Sequence, residues 1–365
     1  MNIKLDGSFI DEKTMVEKYR GYSSKALDYL WTTHWVKEGI MPNFEDGAEE
    51  LRKAADTLRF SCEKIFVAAG GCILASVKAV LGSCENDGRI IFLGDSISPA
   101  EYGEIIKTVK GFSLGMIAIS CKEEPVEQIA AFSIARDIIK NLYGMQEFEK
   151  RIVIITGKNG VFLPQIASEG TSKLRLLSED AEEDTAISTE MLIFPIAAAG
   201  INPTVFLRNF KEILTSTMWD LDGDRYSLFL AEAAKKHGRC EDIIFWQREF
   251  SGIANWICAL HRKLGINSKA VYAPGELTAT RKGASQTHLF CEEENLDVIT
   301  PIFPGASMEG TLSHLVKERQ ELLYRENKNA RFKITIERFD VEAIAQLMTF
   351  LQISNEISRY ILKKS

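Results

Sequence analysis

Residues 64–74 read KIFVAAGGCIL: six largely apolar residues running straight into a Gly-Gly pair. A run that short and apolar, closed by glycines, is the pattern of a buried parallel strand turning into a helix. Three more runs of the same kind follow at 89–95 (RIIFLGD), 115–120 (GMIAIS) and 151–156 (RIVIIT). Helical periods lie between them. In the clearest, which opens at Pro125, Val126, Ile129, Ala130, Ile138, Ile139 and Leu142 recur at helical spacing, and Gly144 supplies the stop. Strands alternating with crossover helices predict a doubly wound parallel sheet.

The pattern repeats further along. Residues 178–184 (SEDAEED) read as a polar loop, and 187–200 and 203–236 as helices. Strand runs then resume at 243–250, 269–272, 298–303 and 332–337. A final helix over 341–362 ends in Lys363 and Lys364, which suit the negative end of its dipole. The expected organisation is α/β, with two doubly wound parallel sheets in tandem behind a helical N-terminal arm. The expected boundaries are 1–44 for the arm, 45–186 for the first unit, 187–240 for a helical connection and 241–365 for the second unit. Trp246 and Trp256 are expected in the core.

Composition narrows the function. The 365 residues are 45% hydrophobic and 26% charged, the balance of a globular protein. Net charge is −7 without a Lys/Arg stripe, so nucleic acid is not an expected partner. The longest apolar run, 191–201, is half of what a bilayer crossing needs, so no membrane association is expected. Seven cysteines form no CxxC pair and suit a reducing cytosol, and five scattered histidines lack metal-ligand spacing. The chain is thus expected to be cytoplasmic, with no metal and no cofactor.

In order and spacing, the motifs resemble those of the bacterial glucose-6-phosphate isomerases, which carry two SIS-type domains. Residues 66–74 (FVAAGGCIL) look like that family's VxGIGGSxL, and 89–97 (RIIFLGDSI) like its IIFVGNNI. Residues 194–201 (FPIAAAGI) are similar to its LPIAVAGI, and 332–362 to its final strand and long helix. The resemblance covers roughly residues 20 to 362. It implies two SIS-type units, a homodimer, and a small carbohydrate or sugar phosphate as ligand. The aromatic arm, with Tyr22, Leu27, Tyr29, Trp31 and Trp35, fits the homodimer.

The family's chemistry uses a glutamate to carry a proton between C1 and C2, an arginine facing the enediolate, a ring-opening histidine and a lysine. A carboxylate is a workable proton carrier, and fixed positive charge must face the developing anion. Anchored on 194–201, the family's GGRFS falls on 182–186, and its arginine position holds Asp184. Residues 263–268 (KLGINS) stand where the family has QLxxES, so the proton carrier's place holds Asn267, a carboxamide that cannot take the proton. Counting forward from Asn267 puts His288 (in SQTH) on the family's TDLH; counting back from the expected strand at 298–303 puts Ala284 there. The sequence given ends at Ser365, before the family segment DQxGVExxK that would supply the lysine.

The phosphate loop diverges as well. Residues 118–132 run ungapped against the family's VISKSGTTTEPALAF, and its hydroxyls become Lys122, Glu124, Pro125 and Val126, with Glu123 at its glycine. The ligand-binding positions implied by the resemblance are Gly70, Gly71, Cys72, Ser120, Lys122 and Glu127. Several of these features have a plain structural alternative: Gly70-Gly71 as a tight turn, Glu123 and Glu124 as helix-start acids, His288 as a polar helix residue. The expected function is that of an isomerase relative without efficient activity, binding at most a small carbohydrate in the cleft between its units. Two alternatives stay open: a sugar isomerase with a rearranged site built on His288 with Glu276 or Glu190, and an interaction protein with a vestigial cleft.

Overall fold

A computed structural model describes residues 3–7, 22–32, 44–121, 124–157, 162–169, 173–176, 187, 189–216, 222–236, 240–273, 280–281, 283–292, 299–301, 309–311 and 330–364. In chain order these form β1 (Ile3–Asp6), α1 (Tyr22–Thr32), α2 (Phe44–Ser61), β2 (Lys64–Ala68), α3 (Gly71–Ser83), β3 (Ile90–Leu93), α4 (Pro99–Thr108), β4 (Leu114–Ser120), α5 (Val126–Phe148), β5 (Ile152–Thr156), α6 (Phe162–Glu169) and β6 (Lys173–Leu176). Then come α7 (Glu190–Ala198), α8 (Pro203–Leu214), α9 (Asp222–Lys236), β7 (Cys240–Phe245), α10 (Ser251–Lys263), β8 (Asn267–Tyr272), β9 (Ser285–Cys291), β10 (Ile299–Pro301), β11 (Glu309–Thr311), β12 (Arg331–Ile336) and α11 (Val341–Lys364). They fall into two compact units: a central one, Lys25–Thr215, and a terminal one, Met1–Ser24 with Ser216–Ser365. The expected α/β class with helix-flanked parallel sheets is what the chain forms.

The central sheet runs β3-β2-β4-β5-β6, every neighbouring pair parallel. Alternate residues face opposite sides. Phe66 and Ala68, Met116 and Ala118, and Ile154 pack with Tyr102 of α4, Phe132 and Ile139 of α5 and Leu163 of α6. Ile65, Val67, Ile117, Ile119, Val153 and Ile155, the residues between, are also buried. Covered on both faces, these strands have to be apolar throughout, which is why they read clearly in the sequence. Gly144 breaks α5 without ending it. The residue takes φ +72°, and the helix resumes to Phe148, whose ring joins the core and draws the last turn in.

The terminal sheet runs β1-β12-β9-β7-β8, parallel except for β1, which pairs antiparallel with β12. The arm therefore adds a strand as well as a helix, and that strand covers what would be an open edge of β12. On one face Tyr226 of α9 packs on Phe332 of β12 and Phe350 of α11, with ring centroids 4.9 and 5.5 Å apart. Trp246 and Trp256 are buried as expected.

Four expectations are corrected here. The helix expected over 203–236 is two, α8 and α9, the first opened by Asn202, whose side chain accepts from Thr204 N, and by Pro203. The strand expected at 243–250 begins earlier, at Cys240, and gives way to a short 3-10 turn at Arg248–Phe250. The third parallel strand of this sheet is β9; of the segment expected there, 298–303, the described residues form β10, which pairs with β11. His288 consequently lies in a strand, where the structural alternative had it in a helix. Both misreadings of strands have one cause, the buried polar residues that open β7 and β9.

Candidate functional site

In open α/β sheets, ligands bind outside the carboxyl ends of the strands, where the strand order reverses. In the central unit that point lies between β2 and β4, because the chain leaves β2 toward β3 and leaves β4 toward β5. Gly70, Gly71 and Cys72 follow β2 there, and Ser120 closes β4, so the structure brings these four sequence-selected residues to one edge of one sheet. Backbones crowd at this edge. A Cβ on Gly94 would lie 2.2 Å from Ala69 O, and one on Gly157 2.2 Å from Cys121 O. Neither position tolerates a side chain.

The space above the Gly70 turn is taken by the chain itself. A Cβ on Gly70 would meet Gln128 Oε1 and Pro125 Cγ at 3.2 Å each. Gln128 is buried, and its amide donates to Ile119 O at the end of β4. Gly71 takes φ +54° at the first position of α3, which carries no side-chain cap.

Glu124 makes the most informative contacts. Ser120 Oγ donates to Glu124 Oε1 at 2.9 Å. Two backbone amides at the start of α6, Phe162 N and Leu163 N, donate to its Oε2 and Oε1 at 3.3 and 3.2 Å. Thr156 Oγ1 lies 3.0 Å from Ser120 Oγ and donates to Gly157 O at 3.3 Å. The carboxylate thus caps α6, while α5, which follows Glu124 almost at once, has Pro125 at its N-cap and no side-chain cap. Hydroxyl and helix-terminal N–H groups are the donors that suit an anion; here an anion of the chain holds them. Glu127, in the first turn of α5, is half-buried. Lys122, like Glu123, lies outside the described residues, as do Asp184 and Glu276.

The terminal sheet reverses between β7 and β9, so its carboxyl edge is formed by Phe245, Trp246, Gln247 and Cys291. Gln247 stitches this edge shut: its Nε2 donates to Cys291 O at 3.0 Å and its Oε1 accepts from Cys291 N at 3.4 Å. Asn267 and His288 lie elsewhere. Asn267 opens the edge strand β8 at its amino end, with an exposed side chain and a carbonyl that accepts from Arg281 Nη2 at 2.9 Å. His288 sits in the middle of β9, fully buried, its Nε2 3.3 Å from Gln286 Oε1. Burial, with the nearby charges of Arg331 and Lys333, lowers its pKa to about 3. Ala284, the other candidate for that position, is buried just before β9, and Glu190 opens α7 half-buried.

Sequence reasoning missed a polar network at the amino end of this sheet. Glu241, fully buried, contacts His261 Nδ1 at 2.5 Å and accepts from Thr287 Oγ1 at 2.6 Å and Ser268 Oγ at 3.2 Å. Burial pushes its pKa up, but attraction to His261 and hydrogen bonds from His261, Thr287 and Ser268 more than offset that, so it lies below the usual value. Beside it Asp242 accepts from Arg281 N at 2.6 Å and Arg281 Nε at 2.8 Å. The only hint in the sequence is a Glu-Asp pair directly before an apolar run. Among the described residues, no group of three or more His, Cys, Asp or Glu stands where it could hold a metal ion.

No family model matches the chain. It is 24% identical over 188 residues to the glucose-6-phosphate isomerase of Clostridium tetani, a match covering 48% of this chain and 42% of that enzyme. Among solved structures, the crystal structure of a glucose-6-phosphate isomerase from Chlamydia trachomatis superposes with a TM-score of 0.70 at 10% identity, over 98% of this chain and 80% of that one. The chain is glucose-6-phosphate isomerase-like. A hypothetical protein of Thermus thermophilus is nearer still in shape, with a TM-score of 0.81 at 16% identity over 99% of this chain and 94% of that one. The isomerase-like chain spans less than half the length of the curated Clostridium relative it matches. No helix among its described residues is long and apolar enough to cross a membrane.

Proposed function

We propose that this chain is an isomerase-like SIS-domain protein without efficient glucose-6-phosphate isomerase activity, whose remaining capacity is to bind a small carbohydrate without a phosphate. The carrying observation is Glu124: its carboxylate holds the hydroxyl and amide donors at the central switch point that an anionic group would need. Two like charges about 4 Å apart repel by ~4 kcal/mol at an effective dielectric near 20, more than the ~2 kcal/mol a helix dipole contributes at best. Asn267 in place of the proton carrier and Asp184 in place of the cation support the same reading. The rearranged-isomerase alternative needs His288 as a base. A fully buried imidazole with a pKa near 3 is a poor one at neutral pH.

The test is a coupled dehydrogenase assay on glucose 6-phosphate and fructose 6-phosphate. Loss of the general base alone costs roughly 10²- to 10⁴-fold, so turnover of about 10 s⁻¹, an ordinary enzyme rate, overturns the reading. A thermal-shift screen sharpens it: neutral sugars are expected to stabilise the protein and inorganic phosphate is not. The homodimer is part of the proposal, supported by the arm, where Tyr29 of α1 is 51% exposed. Light scattering at micromolar concentration is expected to give twice the 40.9 kDa chain mass. Seven reduced cysteines, six of them buried, support a cytoplasmic setting.

A further inference from the structure

We propose that Glu124 is a latch: it fastens the segment after β4 to the start of α6 and keeps the central switch-point crevice closed in the resting protein. One carboxylate joins three parts of the chain that nothing in the sequence links, namely the end of β4 through Ser120, the end of β5 through the Thr156–Ser120 hydroxyl pair, and the first turn of α6 through Phe162 N and Leu163 N. The segment so held presses on the crevice. Pro125, next in sequence to Glu124, and Gln128, one turn along, lie against Gly70, leaving no room even for a methyl group at its ordinary distance. Cys72, Ser120 and Cys121 at this edge are buried.

A latch differs from a plain cap in what depends on it. A cap on α6 serves α6 alone, and its loss frays one short helix. Here the capping residue stands 38 positions before the helix it caps, so its loss also frees the Pro125–Gln128 turn over Gly70. Ligand entry at the crevice then requires opening, and apparent affinity falls with the fraction of open molecules. The latch deepens the proposed function and rests on its reading of this crevice as closed to phosphate. The two fail separately: isomerase turnover removes that reading whatever the latch does, while the experiment below measures opening without any sugar.

The experiment is alkylation of the full-length native chain with iodoacetamide, followed by peptide mapping. Cys72 and Cys121 report on the crevice, and Cys258 and Cys291, buried in the terminal unit, report on unfolding. Charge-assisted hydrogen bonds to a carboxylate stabilise strongly enough that losing them raises local opening about 10- to 100-fold. Glu124→Ala is therefore expected to label Cys72 and Cys121 faster by that factor, with Cys258 and Cys291 at wild-type rates. Unchanged rates at Cys72 and Cys121 in that variant overturn the latch, as does wild-type labelling of both thiols at the speed of an exposed cysteine. If all four thiols accelerate, the Ala variant has unfolded and Glu124→Gln decides. The amide keeps the length and one acceptor oxygen but loses the charge, and selective acceleration of Cys72 and Cys121 is again expected, smaller in size. Rates equal to wild type in that folded variant overturn the proposal.

Discussion

The central and terminal sheets share the order of four parallel strands, β3-β2-β4-β5 and β8-β7-β9-β12, and differ in what fills them. Every residue of β4 and β5 except Ser120 and Thr156 at their ends is apolar and buried. In the other sheet the strands flanking the switch point, β7 and β9, bury Glu241, Asp242, Ser285, Gln286, Thr287 and His288. The first sheet is held by close packing, which is forgiving of small changes and indifferent to pH. The second is held in part by a hydrogen-bonded network, in which each member left without its partner is costly. One fold therefore contains two kinds of core.

The largest expected effect breaks that contrast at its centre. Glu241→Ala removes the acceptor shared by His261, Thr287 and Ser268, and loss of one partner of a buried pair costs about 3–5 kcal/mol. Ile154→Val, at an equally buried position of the central sheet, is expected to cost about 0.5–1.5 kcal/mol. Urea unfolding measures both. Similar costs would mean that the Glu241 network contributes little beyond the volume it fills.

The same contrast explains how much the sequence makes legible. Strands β2, β4 and β5 announce themselves because burial on both faces demands unbroken apolar residues. Residues 285–288, SQTH, carry no apolar run, so a local reading passes over the strand that holds them and places the neighbouring 298–303 in the sheet instead. Hydrogen bonding licenses polar residues in a core, but the partners of Glu241 lie 20, 27 and 46 residues away. No local window contains them. The candidate site divides along the same line. Strand pattern alone brings Gly70, Gly71 and Ser120 to one edge, whereas the bonds from Glu124 to Phe162 and Leu163 depend on tertiary approach. Glu124 is legible as an acid at a helix start; the helix it serves is not.

A smaller effect separates the sheets by pH. His288 is neutral in the fold, with its pKa lowered from 6.5 to about 3. Between those values the unfolded chain binds a proton that the folded chain refuses. Stability from this group is complete above pH 6.5 and falls as pH drops toward 3, by up to ~1.4 kcal/mol per unit. Glu241, held below 4.5, adds a loss of the same sign below that value. Hydrogen exchange at about pH 5 is therefore expected to show β9 losing protection before β4. His288→Leu, similar in volume, is expected to flatten the dependence between about pH 6.5 and 5 and to leave β4 unchanged. Equal loss of protection in both sheets would break the distinction.

The smallest expected effect is at Asn267. Its side chain is exposed at the amino end of an edge strand, so Asn267→Glu removes no packing and should change stability by no more than about 0.5 kcal/mol. It introduces the residue type that the resemblance implies for this position, yet little turnover is expected. Catalytic groups act as a unit, and one member returned to a site lacking the others gains little. The strand geometry points the same way, because ligands in such sheets bind at the carboxyl edge, which in β8 is Tyr272 and not Asn267. The coupled assay on the purified variant decides the matter. Turnover clearly above that of the parent would mean that a working constellation surrounds Asn267 and that the phosphate-free reading of the protein is wrong. An unchanged baseline, with unchanged urea midpoint, leaves Asn267 as a surface residue at the amino edge of the terminal sheet.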